Sequence, residues 1–157
     1  MRILILFIII YFIGIILFYK CSTFDIYEFN SSKPGPNILL IGGTHGDEPA
    51  SFSSLLIFKN LLKNNKIKIN YGKISIIYNV NNCGYYFNNR YYSVIGKKID
   101  LNRKYNTGFP INKNIQKIIK NKDIIVDFHE GWGYLSENNG SIGSSITINN
   151  YPIKIIK

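Results

Sequence analysis

The N-terminus of the chain carries an uncharged apolar run, Ile3–Tyr19, flanked by Arg2 and Lys20. A helix of about 17 residues rises about 25 Å, which is at the short end of what spans a bilayer. The rest of the chain forms one modest domain, which cannot bury such a segment in addition to its own core. The run therefore predicts a helix that inserts into a membrane.

A cleaved signal sequence and a retained anchor are both compatible with such a run. A cleavage site requires small residues after the apolar core, whereas this core is followed by FYKCST. We therefore favour a retained transmembrane signal anchor over residues 1–21, which makes the chain a single-pass membrane protein. Residues 22–36 end in the turn-rich stretch SSKPGP and are predicted to be a linker. One basic residue on each side leaves the side of the membrane open.

The chain is basic, with a formal net charge of +10. Its lysines are scattered and form no dense basic run, so we expect no nucleic-acid partner. The two cysteines, Cys21 and Cys83, lie far apart in the sequence and outside any C-x-x-C pair. We expect them to be unpaired, with a single bridge as the alternative in an oxidising compartment.

The body of the chain alternates short apolar runs with segments of helical periodicity. All-apolar runs bounded by turn residues predict buried strands, and apolar residues at helical spacing predict amphipathic helices. The predicted strands are Ile38–Ile41, Ile74–Val80, Ile124–Phe128 and Ile146–Ile148, and the predicted helices are Pro49–Leu62 and Ile111–Lys120. This alternation predicts an α/β domain over residues 37–157, with a mixed, mostly parallel sheet flanked by helices.

Both histidines of the chain, His45 and His129, follow the end of a predicted strand. Ligands of α/β sheets bind beyond the carboxyl ends of the strands. Glu48 lies three residues after His45 across a strand-to-helix turn, so the two side chains can converge. Two histidines and a glutamate form one of the ligand sets of open zinc sites. The alternative is a pair of hydrogen-bonded or exposed histidines, because H-x-x-E alone is a common pattern.

The two arginines of the body lie in its middle section. Arg103 adjoins Asn102 in GKKIDLNRKYN, and Arg90 stands in NNCGYYFNNRYY. The planar guanidinium group binds a carboxylate through two hydrogen bonds, and asparagine adds a neutral donor. A surface turn with a salt bridge is the alternative for Asn102 and Arg103.

Four segments, GGTHGDEPAS, NNCGYYFNNR, DLNR and VDFHEGWGY, occur in the order found in the zinc carboxypeptidase superfamily. The chain resembles the succinylglutamate desuccinylase and aspartoacylase branch of that superfamily over about Asn37–Ile148. The resemblance implies a zinc-carboxypeptidase-like α/β fold. It also implies that residues 37–157 form only the N-terminal part of a zinc-hydrolase catalytic domain.

The resemblance also implies a role for each matching residue. One zinc ion would be held by His45, Glu48 and His129. Asp100 would orient the His45 ring, and Arg90 would polarise the scissile carbonyl and stabilise the developing oxyanion. The carboxylate of the substrate would be bound by Asn102 and Arg103.

The superfamily uses a glutamate far downstream of the third ligand as general base. Only Glu130 and Glu137 follow His129 in this chain. Glu130 neighbours a ligand and Glu137 lies in a loop-like stretch, so neither is predicted to be that base. The sequence therefore predicts a fragment, a truncated gene product or a pseudoenzyme.

Several functions fit these features. The first is a zinc-dependent hydrolase of amide bonds adjacent to a carboxylate, of the deacylase type, whose substrates are N-acyl amino acids. It would be inactive if the catalytic glutamate is lost. The alternatives are a metallocarboxypeptidase that acts on peptides, a non-catalytic membrane-anchored metal-binding remnant, and a structural membrane protein whose motifs are relics. Zinc content separates the last from the others, and turnover separates the enzymes from the remnant.

Overall fold

The computed structural model describes residues 2–94, 96–103 and 109–131 of the chain. The elements, in chain order, are α1 (Arg2–Ser22), β1 (Tyr27–Asn30), β2 (Asn37–Ile41), α2 (Pro49–Lys63), β3 (Lys73–Ile77), α3 (Asn82–Tyr86), β4 (Tyr92–Val94), β5 (Lys97–Ile99), α4 (Pro110–Ile119) and β6 (Ile124–Asp127).

The main sheet has the strand order β1-β3-β2-β6. β2 is parallel to both β3 and β6, and only the edge strand β1 is antiparallel to its neighbour. A short antiparallel pair, β4 and β5, forms a second sheet. This mixed, mostly parallel sheet with flanking helices confirms the predicted α/β class.

Alternate residues of the strands pack into different cores, because successive side chains of a strand point to opposite faces. Leu39 and Ile41 of β2 join a buried cluster with Ile111 and Ile115 of α4. Leu40, between them, packs against the second cluster, which contains Leu55 and Leu62 of α2 and Ile76 of β3. The sheet is therefore covered by α4 on one face and by α2 on the other.

α1 differs from the other helices because its apolar side chains from Ile3 to Ile16 are exposed. Those from Ile3 to Ile13 are 47–73% exposed. The segment Ile3–Ser22 contains an 18-residue window with a mean hydropathy of 2.7, and none of that window is buried. By length and composition α1 can cross a membrane, and a signal sequence near the N-terminus has the same properties.

The structure differs from the sequence-based expectations in three strands. Residues 22–36, predicted to be a linker, contain β1, which pairs with β3. β3 ends at Ile77, because the chain turns there, rather than at Val80. β6, predicted to be buried, pairs only with β2 among the described residues, and Ile124 is 46% exposed. The predicted strand Ile146–Ile148 lies outside the described residues.

The expectation of two unpaired cysteines is wrong, because Cys21 and Cys83 form a disulfide. Their Cα atoms are 5.1 Å apart although 62 positions separate them in the sequence. The cause is tertiary packing that the spacing does not reveal: the end of α1 rests on α3, which brings the two thiols together.

Candidate metal centre

Three parallel strands end at the same edge of the sheet. Ile41 of β2 is level with Ile77 of β3 and with Asp127 of β6. The loops that follow these strands therefore meet at one place, and the loops after β2 and β6 carry His45 and His129. This is the edge at which α/β sheets bind ligands.

Glycines give the loop after β2 its tight path. Gly43 has a φ of +65°, which glycine adopts without the steric cost that a side chain would add. Gly46 lies directly on the backbone of Gly84 in α3, so that a Cβ atom there would overlap Gly84. Pro49 then begins α2, a position where the missing N–H of proline costs nothing. The loop thereby fixes His45 and Glu48, which are 2% and 4% exposed.

His45, Glu48 and His129 meet at this edge. Glu48 Oε1 is 2.7 Å from His45 Nδ1, and Glu48 Oε2 is 2.8 Å from His129 Nδ1. The two Nδ1 atoms are 3.1 Å apart. The three side chains each offer one ligand atom within 4.8 Å of the others, so this group can hold a metal ion.

The charge state of the metal-free group reflects these contacts. Burial alone would raise the pKa of Glu48, but hydrogen bonds with His129, His45 and the Glu130 N–H together hold that pKa far below its usual range. Hydrogen bonds to Asp127 and Glu48 raise the pKa of His129 to about 10, against the opposing effect of burial. The metal-free centre is therefore an ionised Glu48 carboxylate beside a protonated His129 ring.

Asp100 and Arg90 adjoin the same group. Asp100 Oδ1 is 3.2 Å from His45 Nε2, the ring nitrogen that faces away from Glu48. Arg90 donates from Nε to Asp100 Oδ2 at 3.3 Å and from Nη1 to Glu48 Oε1 at 3.3 Å. Burial would raise the pKa of Asp100, but contacts with His45 and Arg90 lower it. Arg90 therefore places a positive charge beside the candidate ligands.

Sequence reasoning missed Asp127, the last residue of β6. Its Oδ2 is 3.2 Å from His129 Nε2, and its Oδ1 accepts a hydrogen bond from Thr44 Oγ1 at 2.8 Å. Thr44 is fully buried and precedes His45. The sequence signal that could have identified it is its position two residues before His129, because residues two apart in an extended strand lie on the same face. Asp127 thus holds the His129 ring as Asp100 holds the His45 ring.

The predicted substrate residues lie at the rim. Arg103 is 78% exposed, and its Nε is 3.6 Å from Asp100 Oδ2. Asn102 is exposed, and its backbone N–H donates to Asp100 Oδ1 at 3.0 Å. Both residues therefore contact Asp100, which in turn contacts His45 of the centre.

The two acidic residues after His129 have different positions. Glu130 Oε2 accepts a hydrogen bond from the Ala50 N–H at 3.0 Å, so this carboxylate points to the first turn of α2. Glu137 lies outside the described residues. The nearby carboxylates of Asp100 and Asp127 each contact a histidine. Among the described residues, Glu130, Asp100 and Asp127 are therefore all engaged in other contacts, and none of the three is free to act as the general base.

No protein-family model and no curated protein matches this chain. Several solved structures do. An aspartoacylase family protein from Mesorhizobium loti superposes with a TM-score of 0.60 at 22% identity, over 68% of this chain and 34% of its own. A succinylglutamate desuccinylase/aspartoacylase from Rhodobacter sphaeroides gives 0.56 at 24% identity, over 68% and 33%.

A cell shape determinant protein from Helicobacter pylori, solved with a bound tripeptide, gives a TM-score of 0.57 at 23% identity, over 71% of this chain and 28% of its own. The aligned part thus spans about a third of the length of these proteins. Identity at this level establishes common architecture and leaves activity to be argued from the site. This chain has the fold of the aspartoacylase and succinylglutamate desuccinylase proteins.

Proposed function

We propose that this chain carries the metal centre of a zinc-dependent hydrolase that cleaves amide bonds adjacent to a carboxylate, of the deacylase type. The observation that supports it most is the convergence of His45, Glu48 and His129 beside Arg90. The Glu48 carboxylate contacts all three of the other side chains, His45, His129 and Arg90. An isolated histidine with an ordinary hydrogen bond would not require this arrangement.

The donor set fits one zinc ion. Two imidazole nitrogens and a carboxylate oxygen form a ligand set used by catalytic zinc sites, which leave a further position open. Each histidine also has a carboxylate on its other ring nitrogen, as metal-bound histidines commonly do. Zinc at this centre supplies the Lewis-acid chemistry of amide hydrolysis.

Arg90, Arg103 and Asn102 are suited to stabilise the transition state and to bind the substrate. The Arg90 guanidinium stands beside Glu48 and offers its N–H groups to a carbonyl oxygen that gains negative charge during hydrolysis. Arg103, at the exposed rim, offers a charged fork for the carboxylate of the substrate, and Asn102 adds a neutral donor. A clamp on the substrate's carboxylate would orient the amide bond for attack.

The N-terminal segment fits the role of a retained anchor over residues 1–21. α1 is long enough to cross a bilayer, and its apolar side chains from Ile3 to Ile16 are exposed. It is also covalently joined to the domain by the Cys21–Cys83 disulfide. The bridge fixes the C-terminal end of α1 on the domain, so a retained anchor would hold the domain at the membrane surface. Residues 22–36, which include β1 of the main sheet, then join α1 to the N-terminal part of a catalytic domain over residues 37–157.

Two other functions have support from specific observations. A metallocarboxypeptidase is favoured by the fold shared with the tripeptide-bound protein from Helicobacter pylori. A metal-binding module without turnover is favoured by Glu130, whose carboxylate faces α2 rather than the triad.

A turnover assay separates these three functions. The full chain, loaded with zinc in lipid nanodiscs, is given N-acyl amino acids in one series and short peptides in another. Release of free amino acids from the first series supports the deacylase, and preferential release of C-terminal residues from the second supports the carboxypeptidase. Stoichiometric zinc with no turnover in either series contradicts both enzymes and supports the metal-binding module. Activity that persists in Arg90→Ala at the original rate contradicts the role of Arg90.

A further inference from the structure

The end of α1 is fixed to the domain at three points. Besides the bond between Cys21 and Cys83, Asn82 Nδ2 donates to the Thr23 carbonyl oxygen at 2.8 Å. The buried Tyr92 donates from its hydroxyl to Ser22 Oγ at 3.3 Å. The last turn of α1 therefore cannot move away from α3 and β4 without breaking these contacts.

Exposed aromatic side chains surround this junction. Tyr86 and Phe87 are 77% and 75% exposed, and Tyr91 is 40% exposed. Phe87 and Tyr91 line a cleft together with Cys21, Cys83 and neighbouring residues. Exposure of a large apolar ring to water is unfavourable, because transfer of apolar surface out of water lowers the free energy. These rings therefore indicate a surface that is covered by something else.

Basic residues border the same cleft. Lys20 precedes Cys21 at the end of α1. Ser93, which lines the cleft, is the cross-strand partner of Lys98 in the β4–β5 pair. Directly opposed residues of an antiparallel pair share one face, so Lys98 lies on the cleft side of that hairpin. Aromatic rings with lysines beside them match the interfacial layer of a bilayer, where rings sit at headgroup level and cations meet anionic lipids.

The structure assigns this surface, which we call the aromatic face (Tyr86, Phe87, Tyr91 and Lys98 around the Cys21–Cys83 bridge), to the headgroup layer of the bilayer that α1 enters, on the oxidising side. The inference rests on the retained anchor proposed above. If α1 crosses the bilayer, its C-terminal end lies at the interface, and a Cα–Cα distance of 5.1 Å then brings α3 there too.

The disulfide determines the side of the membrane. Disulfides persist in oxidising compartments and are rare where thiols are kept reduced. Its formation removes two protons and two electrons from two thiols, which an oxidised dithiol carrier of that compartment accepts by thiol–disulfide exchange. The orientation that the flanking charges left open is thereby set, with the domain outside the reducing compartment.

The aromatic face also connects the bilayer to the metal centre. Gly84, next to Cys83, contacts Gly46, which follows His45. Asn81, which caps α3 by accepting from the Gly84 N–H, also donates to the Thr44 carbonyl oxygen at 3.4 Å. The ligand loop therefore packs directly on the element that the bridge holds at the membrane. Substrates of this centre are then molecules that reach the membrane surface on the oxidising side.

Photocrosslinking tests this placement in the full chain. The protein is placed in nanodiscs of phosphatidylcholine and phosphatidylglycerol, with a benzophenone amino acid at position 87. The matched control carries it at position 71, because Tyr71 is also an exposed aromatic residue, 59% accessible, but lies before β3 at the opposite end of the sheet. The products are identified by mass spectrometry. We expect lipid adducts when the benzophenone is at position 87 and none when it is at position 71.

Two further measurements separate the parts of the inference. Resistance to alkaline carbonate extraction reports α1 insertion, and maleimide labelling before and after reduction reports the bridge. A chain that is inserted but gives equal adducts at both positions overturns the aromatic face. A chain whose thiols react without reduction, when isolated from cells, overturns the oxidising side. If carbonate extracts the protein from the membrane, both the retained anchor and the aromatic face are overturned. Zinc content and turnover are measured separately and test the hydrolase proposal.

Discussion

Glu48 Oε2 and His129 Nδ1 lie 2.8 Å apart although 81 positions separate the two residues in the sequence. The contact joins the loop after β2 to the loop after β6, and it exists because these strands are parallel neighbours. Neither loop alone supplies three ligands. The candidate centre is therefore a property of the assembled sheet, and metal binding should report folding.

Zinc should stabilise the folded chain. A ligand that binds only the folded state adds about 2.7 kcal/mol to the free energy of unfolding at 100 times its dissociation constant. We expect a higher melting temperature on zinc addition, measured by thermal unfolding in detergent. The matched control is His129→Ala, which should show no rise. An equal rise in that variant would contradict the role of His129.

Asp127→Ala should weaken zinc binding by about 10- to 100-fold, the usual effect of removing the partner of a metal-bound histidine. The reason is that His129 would lose the acceptor that fixes its ring and keeps the proton on Nε2. Competition with a chromogenic chelator gives the affinity. Asp127→Asn, which keeps an oxygen acceptor, should lose less zinc affinity than Asp127→Ala. If both variants lose stability but bind zinc normally, Asp127 is only a structural residue.

Arg103→Ala should weaken the binding of an N-acyl amino acid to the zinc-loaded chain by about tenfold, as expected for one lost charged hydrogen bond at an exposed site. Isothermal titration calorimetry measures the affinity. Lys66→Ala removes an equal charge in the exposed turn after α2, far from the centre, and should leave binding unchanged. Equal affinities for Arg103→Ala and the unaltered chain would contradict the carboxylate clamp.

Cys83→Ser should lower the free energy of unfolding by about 2–4 kcal/mol, because a bridge across 62 residues restricts the unfolded chain. Chemical unfolding of the oxidised protein measures the loss. Reduction of the unaltered chain should give the same value as the variant. A variant as stable as the oxidised protein would show that the bridge does not restrain the domain.

Much of this architecture is readable from the sequence, since the relevant signals are local. Apolar runs predicted β2 and β6, helical spacing predicted α2 and α4, and Pro49 marked the start of α2. Both histidines could then be placed at one edge, because parallel strands share their carboxyl ends.

What the sequence did not predict depends on contacts between distant segments. β1 is a short strand of alternating burial in a segment whose end reads as turns, and it exists because β3 offers it an edge. The Cys21–Cys83 bridge requires α1 to rest on α3. Asp127 acquires its role only when Thr44 and His129 are brought to either side of it. The strand β1 and the bridge leave no periodic signal in the sequence, and the two-residue spacing of Asp127 and His129 becomes informative only once both are known to lie at the metal centre.

The most direct test of the account is the zinc content of the purified full chain and of three single variants, His45→Ala, Glu48→Ala and His129→Ala, with X-ray absorption at the zinc edge. We expect one zinc per chain, bound through imidazole nitrogen and carboxylate oxygen at about 2.0–2.2 Å, and loss of zinc in every variant. Stoichiometric zinc in all three variants, or an unaltered chain that binds none, would contradict the metal centre.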